Sequence, residues 1–170
     1  MTKLCSPDIR VLAISPSTKG FGFAVLEGAR SLVDWGVKTV RHDKNARCLA
    51  RIEELAGYYQ PRVIILEDYT ARDSRRHVRI QELIAKVAQI AIQRSIRVKR
   101  FSRSNVSRAF HAENARTKHD IALVIGSYFD ELTPRIPPRR RPWKSEDHWM
   151  QMFDAVALAL TYFRFTREVT

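Results

Sequence analysis

RVLAISPSTKGFGFAVLE (Arg10–Glu27) reads as two short strands around a turn. RVLAIS (Arg10–Ser15) is an apolar run of buried-strand length, and Pro16-Ser17-Thr18-Lys19-Gly20 is a cluster of turn formers. FGFAVLE (Phe21–Glu27) puts Phe21, Phe23 and Val25 on one face of a second strand. A brief turn at Gly28-Ala29-Arg30 leads into SLVDWGVKTV, a third strand, so the opening predicts an antiparallel meander.

The period then changes. Leu49, Ile52, Leu55, Ala56 and Tyr59 recur at helical spacing, which predicts a helix from His42 to Tyr59 ended by Pro61. RVIILE (Arg62–Glu67) is a short apolar run rich in branched residues, the pattern of a strand buried on both faces. A long amphipathic helix follows from Arg75 to Arg94, then a fifth strand, SIRVKRF (Ser95–Phe101). Ser104 is positioned to cap a short helix carrying Val106, Ala109 and Phe110, and Thr117 with Asp120 forms a capping box for the next. TPRIPPRRRPWK (Thr133–Lys144) is a basic loop stiffened by prolines, after which Ser145 caps a final helix to Arg164. Parallel strands need crossover helices, so strands one, four and five lie side by side. The expectation is one α/β domain over residues 1–170, with a mixed five-stranded sheet of order 3-2-1-4-5 flanked by helices.

Thirty Lys and Arg against eighteen Asp and Glu give a net charge of +12 on 170 residues. Such an excess favours an extended anionic partner, because every phosphate it neutralises releases condensed counterions. No long apolar segment and no charged-then-apolar leader are visible, which argues against a membrane or export. Cys5 and Cys48 are isolated and the five histidines are scattered, a usage that fits a reducing cytoplasm and offers no zinc site.

Two acids stand out. Glu67 closes the strand VIILE at its carboxyl end, where open α/β sheets place their ligands. Asp154 lies inside the apolar helix segment MFDAVALAL, where a carboxylate is costly unless paired or bound to a cation. Read alone, Glu67 is equally an acid that has reached solvent, and Asp154 is alternatively a partly exposed acid on the helix's outer stripe or one paired with an Arg at the core edge.

Taken together the segments resemble the RuvC-type Holliday-junction nucleases of the RNase H-like superfamily. RVLAISPSTKGFGFAVLE is similar to that family's opening strand and hairpin, and RVIILEDY to the strand bearing its second acid. IRVKRFSRSNVSRAF, ARTKHDIALVI and FDAVALAL resemble the family's later strand-to-helix stretch, its Thr/Ser-Lys segment and its acid-bearing final helix. The resemblance implies a carboxylate cluster holding two Mg²⁺ ions about 4 Å apart, which stabilise the attacking and leaving oxygens of a phosphodiester. Glu67 matches the family's acid on the fourth strand, and Asp154 matches the final acid of the last helix.

Two positions depart from the pattern. The first-strand acid falls on Ser15, and the helix position one turn before Asp154 falls on Gln151. A hydroxyl can ligate Mg²⁺ but cannot neutralise it, so two carboxylates face two divalent ions. Mn²⁺, which binds oxygen sites somewhat more tightly, tolerates a poorer cluster better. Asp147 is a third metal-ligand candidate: it precedes Asp154 by two helical turns, about 10 Å along the axis. With Glu146 it equally suits the first turn of a helix, where acids complement the macrodipole. Asp34 and Asp68 are further candidates without a counterpart in the family.

Lys118 matches the family's lysine near the DNA, and Lys99, Arg100, Arg103 and Arg108 cluster upstream of it. Arg139, Arg140, Arg141 and Lys144 lie on the stiff loop, with Arg72, Arg75, Arg76 and Arg79 extending the patch. Trp143 and Trp149 either stack on unpaired bases or pack at the core edge. Two functions stay open: a metal-dependent endonuclease on branched or distorted DNA, and a relative that keeps the fold and the basic surface but no longer cuts. The family works as a homodimer, for which the helix from Arg75 is the natural interface.

Overall fold

The computed structural model describes residues 8–69 and 78–167. Three strands open the fold: β1 (Arg10–Pro16), β2 (Gly20–Glu27) and β3 (Leu32–Thr39). Helix α1 (Lys44–Tyr59), strand β4 (Val63–Glu67), helix α2 (Val78–Gln93) and strand β5 (Arg97–Phe101) follow. Helices α3 (Arg103–Ala109), α4 (Lys118–Tyr128) and α5 (Met150–Arg167) close the chain, with 3₁₀ turns at His111–Glu113 and Asp130–Arg135. The sheet order is β3-β2-β1-β4-β5, as predicted, with β1–β2 and β2–β3 antiparallel and β1–β4 and β4–β5 parallel. No helix among the described residues is long and apolar enough to cross a membrane.

The two-residue period of the strands divides the core. Val11, Ala13, Ala24, Leu26, Val63 and Ile65 face α4 and α5, whereas Leu12, Ile14, Phe21, Phe23, Val25, Ile64 and Leu66 face α1 and α2. Both faces of β1 and β4 are covered, which is why these strands read as unbroken apolar runs. Buried residues surround nearly the whole of α5, from Met150 through Tyr162, so this helix is the centre of its layer.

Several predicted boundaries move. Ser102, rather than Ser104, caps α3: its hydroxyl accepts from the Asn105 amide at 3.1 Å, while the Asn105 side chain accepts from the Ser102 amide at 2.9 Å. Strand β5 starts at Arg97 because Ser95, at φ 58°, still belongs to the turn leaving α2. The predicted capping box of α4 is present, with Thr117 and Asp120 exchanging both bonds. Helix α5 begins at Met150, five residues after the expected cap Ser145. Asp147 takes up the first free amides there, its carboxylate accepting from Trp149 at 2.9 Å and its carbonyl from Met150 at 3.1 Å. Arg72, Arg75, Arg76, Cys5 and the predicted start of α2 lie outside the described residues.

Candidate nucleic-acid groove

The alternation that sorts the core also aims the site. Ser15 continues the Val11–Ala13 face of β1, and Glu67 continues the Val63–Ile65 face of β4, so both point toward α5. Ile14 pairs with Leu66, which leaves Ser15 and Glu67 ending adjacent parallel strands. Asp154 meets them from the second turn of α5. Close approach of that helix depends on Gly22, the cross-strand partner of Ser15: a Cβ there would sit 2.2 Å from the Gln151 carbonyl oxygen. The result is a groove of about 960 Å³ at the carboxyl ends of β1 and β4, where Ser15, Glu67, Gln151 and Asp154 share one wall system.

Lys118, the first residue of α4, reaches into this groove. Its ammonium donates to Asp154 Oδ2 at 2.9 Å and to Glu146 Oε1 and Oε2 at 3.2 and 3.1 Å. Burial lowers the lysine's proton affinity, but Asp154 and Glu146 outweigh it, so its pKa lies above the ordinary lysine value. Burial raises the Asp154 pKa against the opposing pull of Lys118, and the Glu146 and Glu67 charges add to the rise. Asp154 is thus the paired carboxylate of the core edge, although the pairing cation is a lysine and not the arginine the sequence suggested.

Glu146 is the acid that sequence reasoning passed over in favour of Asp147. Glu146 lines the groove and binds Lys118, while Asp147 is not among the lining residues and is engaged with the start of α5. The late start of α5 also removes the shared helix face on which Asp147 and Asp154 were expected together. Asp68 does line the groove. Asp34 is on β3 and accepts from the Tyr59 hydroxyl at 2.5 Å, and burial with this bond pushes the phenol up to about 12.

The cations divide similarly. Arg103, Lys118 and Arg140 line the groove, joined by Arg116, which the sequence had not singled out. Arg116 is placed by the same cap that fixes Lys118, its amide donating to Asp120 Oδ2 at 3.1 Å. Arg139, Arg141 and Lys144 are exposed on the loop beside the groove, where the Lys144 carbonyl accepts from Arg140 Nε at 2.7 Å. Lys99 and Arg100 are exposed on the edge strand β5, outside the lining. Arg108 covers the Phe165 ring, and Arg79 donates to the Ser17 carbonyl at 3.3 Å, so both have packing duties. Trp149 packs edge-on against Trp35 at 6.0 Å beneath Arg135, as the core-edge reading requires. Trp143 is 75% exposed.

This arrangement has counterparts among solved structures. Thermus thermophilus RuvC superposes with a TM-score of 0.70 at 19% identity, over 95% of this chain and 98% of that one. The chain has the RuvC fold. RuvC of the same organism in complex with a Holliday junction substrate matches at TM-score 0.70 and 18% identity, over 94% and 96% of the two chains. The yeast mitochondrial Holliday junction resolvase matches at 0.65 and 16%, over 98% of this chain and 82% of that one. No family model matches the sequence, and no curated protein matches it either.

The residues present do not fit the pair of divalent ions that the RuvC resemblance implies. Among the described residues no group of three or more His, Cys, Asp or Glu is placed to hold a metal ion. Ser15 and Gln151 are neutral, and Asp154 already holds an ammonium. Mg²⁺ asks for near-octahedral oxygen donors at about 2.0–2.1 Å, and Asp154 Oδ2 and both Glu146 oxygens already accept from Lys118.

Proposed function

We propose that this chain binds branched DNA through the groove at the ends of β1 and β4. The observation that carries the reading is the convergence of Arg103, Arg116, Lys118 and Arg140 on one concave site of a RuvC fold. The exposed Arg139, Arg141 and Lys144 extend it along the rim. Phosphate contacts from such a rim supply affinity and register, while a concave site favours a bent or branched backbone over a straight one. The described residues share one sheet, which supports a single domain over 1–170. The buried free thiol of Cys48 supports a cytoplasmic setting, and exposed Val78 and Ile92 on α2 support a homodimer through that helix. Equilibrium binding of a four-way junction and of linear duplex with the same arms tests the reading. The expected result is at least a tenfold preference for the junction and a steep loss of affinity with salt; equal affinity for both would overturn it.

Strand cleavage is the second reading, and one observation favours it: Glu67 and Asp154 line the same groove, close enough for their charges to interact. A junction nicked at its crossover in Mn²⁺ by the wild type, but not by Glu67→Gln or Asp154→Asn, would establish it. No nicking by any of the three leaves binding as the function.

A further inference from the structure

We infer that Lys118 is the groove's built-in cation: its ammonium takes the place of a divalent ion by bonding Asp154 and Glu146 at once, so the site takes up no metal of its own. Three observations lead there. The ammonium makes bonds of 2.9 to 3.2 Å to oxygens of both carboxylates, which come from separate segments of the chain, the loop and α5. Asp154 Oδ2 is among the oxygens a divalent ion in this groove would recruit. Charge is also balanced within the lining, where Glu67, Asp68, Glu146 and Asp154 stand against Arg103, Arg116, Lys118 and Arg140, a formal sum of zero. A divalent ion entering such a lining gains no net anionic partner, and it meets the resident ammonium at close range. The Thr117–Asp120 capping box, moreover, holds the base of Lys118 on the first turn of α4, so the cation is positioned by regular structure.

Ser15 fits the same account. With a neutral hydroxyl at the end of β1, 1% exposed, that strand end offers no carboxylate for a metal to bridge to Glu67. The lysine therefore does part of the electrostatic work that metals do in an acidic centre: together with Arg103, Arg116 and Arg140 it offsets the repulsion a phosphate meets on approaching Asp154 and Glu67. This inference deepens the DNA-binding reading, but its test uses no DNA, so the two can fail separately.

The test is Mn²⁺ titration of the full chain, followed by calorimetry and by the loss of the free-ion paramagnetic resonance signal. The wild type is expected to show no site tighter than the millimolar range. Lys118→Met is expected to gain one Mn²⁺ with affinity at least tenfold higher, and the gain is expected to vanish when Asp154→Asn is added. Lys118→Gln, which keeps a hydrogen-bond donor without the charge, serves if the methionine variant does not fold; it should also gain the ion. Wild-type protein that binds Mn²⁺ as tightly as either variant overturns the inference, and so does a folded variant that gains nothing.

Discussion

Ser15 is 1% exposed, flanked by Gly22 across the strand pair and by Glu67 at the end of the neighbouring strand. An aspartate in that place would be a buried acid beside another acid, a costly arrangement unless a cation joins them. Ser15→Asp is therefore expected to lower the melting temperature in EDTA by roughly 5–10 °C, with recovery in millimolar Mn²⁺. An unchanged melting temperature in EDTA would show that the site is wetter than its burial indicates. Gly22 gives a second test. Its missing Cβ would lie 2.2 Å from backbone oxygen of Gln151, which cannot swing aside as a side chain would. Gly22→Ala should cost about 1–3 kcal/mol through displacement of α5. Urea unfolding would show this as a lower midpoint at constant slope. Glu67 and Asp154 were legible as candidates because an acid closing an apolar strand and an acid in an apolar helix are one-dimensional signals, whereas Ser15 was reached only through the RuvC resemblance. Glu146 was not legible, since its role depends on a loop path that brings it to Lys118, 28 residues earlier in the chain.

Helix α5 is tied at its far end by Arg164, which donates to both Glu113 carboxylate oxygens at 3.0 and 2.6 Å and to the Ala109 carbonyl at 2.7 Å. The Arg164 bonds, foremost, hold the Glu113 pKa below its ordinary 4.5, with the Tyr128 hydroxyl assisting and burial opposing. A depressed carboxylate contributes stability that is complete above its unfolded value and lost as pH falls through the folded one. Unfolding free energy should thus decline below about pH 4.5. Arg164→Met should remove that part of the slope and cost about 1–3 kcal/mol at neutral pH. A variant with the wild-type pH profile would mean the tie contributes nothing. The basic loop makes a different claim. Replacing Arg139, Arg140 and Arg141 by Glu should weaken junction binding and flatten its dependence on salt by roughly one unit of log–log slope per lost phosphate contact. Unchanged affinity at low and moderate salt would place the DNA elsewhere. At this scale the strands were readable to within two residues, because buried runs bounded by turn formers have few alternatives. The start of α5 was misjudged: Ser145 has the chemistry of a cap, but Asp147 satisfies the amides that begin the helix.

Across the molecule, the +12 charge and the carboxylate groove are two parts of one surface with different tasks. Lys118 holds the groove's innermost acids, which leaves Arg103, Arg116 and Arg140 of its lining and the exposed arginines and lysine of the loop available to phosphates. Topology was accessible from the sequence because crossover rules leave one economical order for this succession of strands and helices. Whether the groove would be metal-ready was not, because that depends on which cation reaches Asp154 in three dimensions. The most direct measurement is the structure of the protein bound to a four-way junction in EDTA. The expected result is a phosphate backbone crossing the groove between Ser15, Glu67 and Lys118, with Arg103, Arg116 and Arg140 on its oxygens. A junction docked instead on the α1–α2 face, with the groove open to solvent, would contradict it.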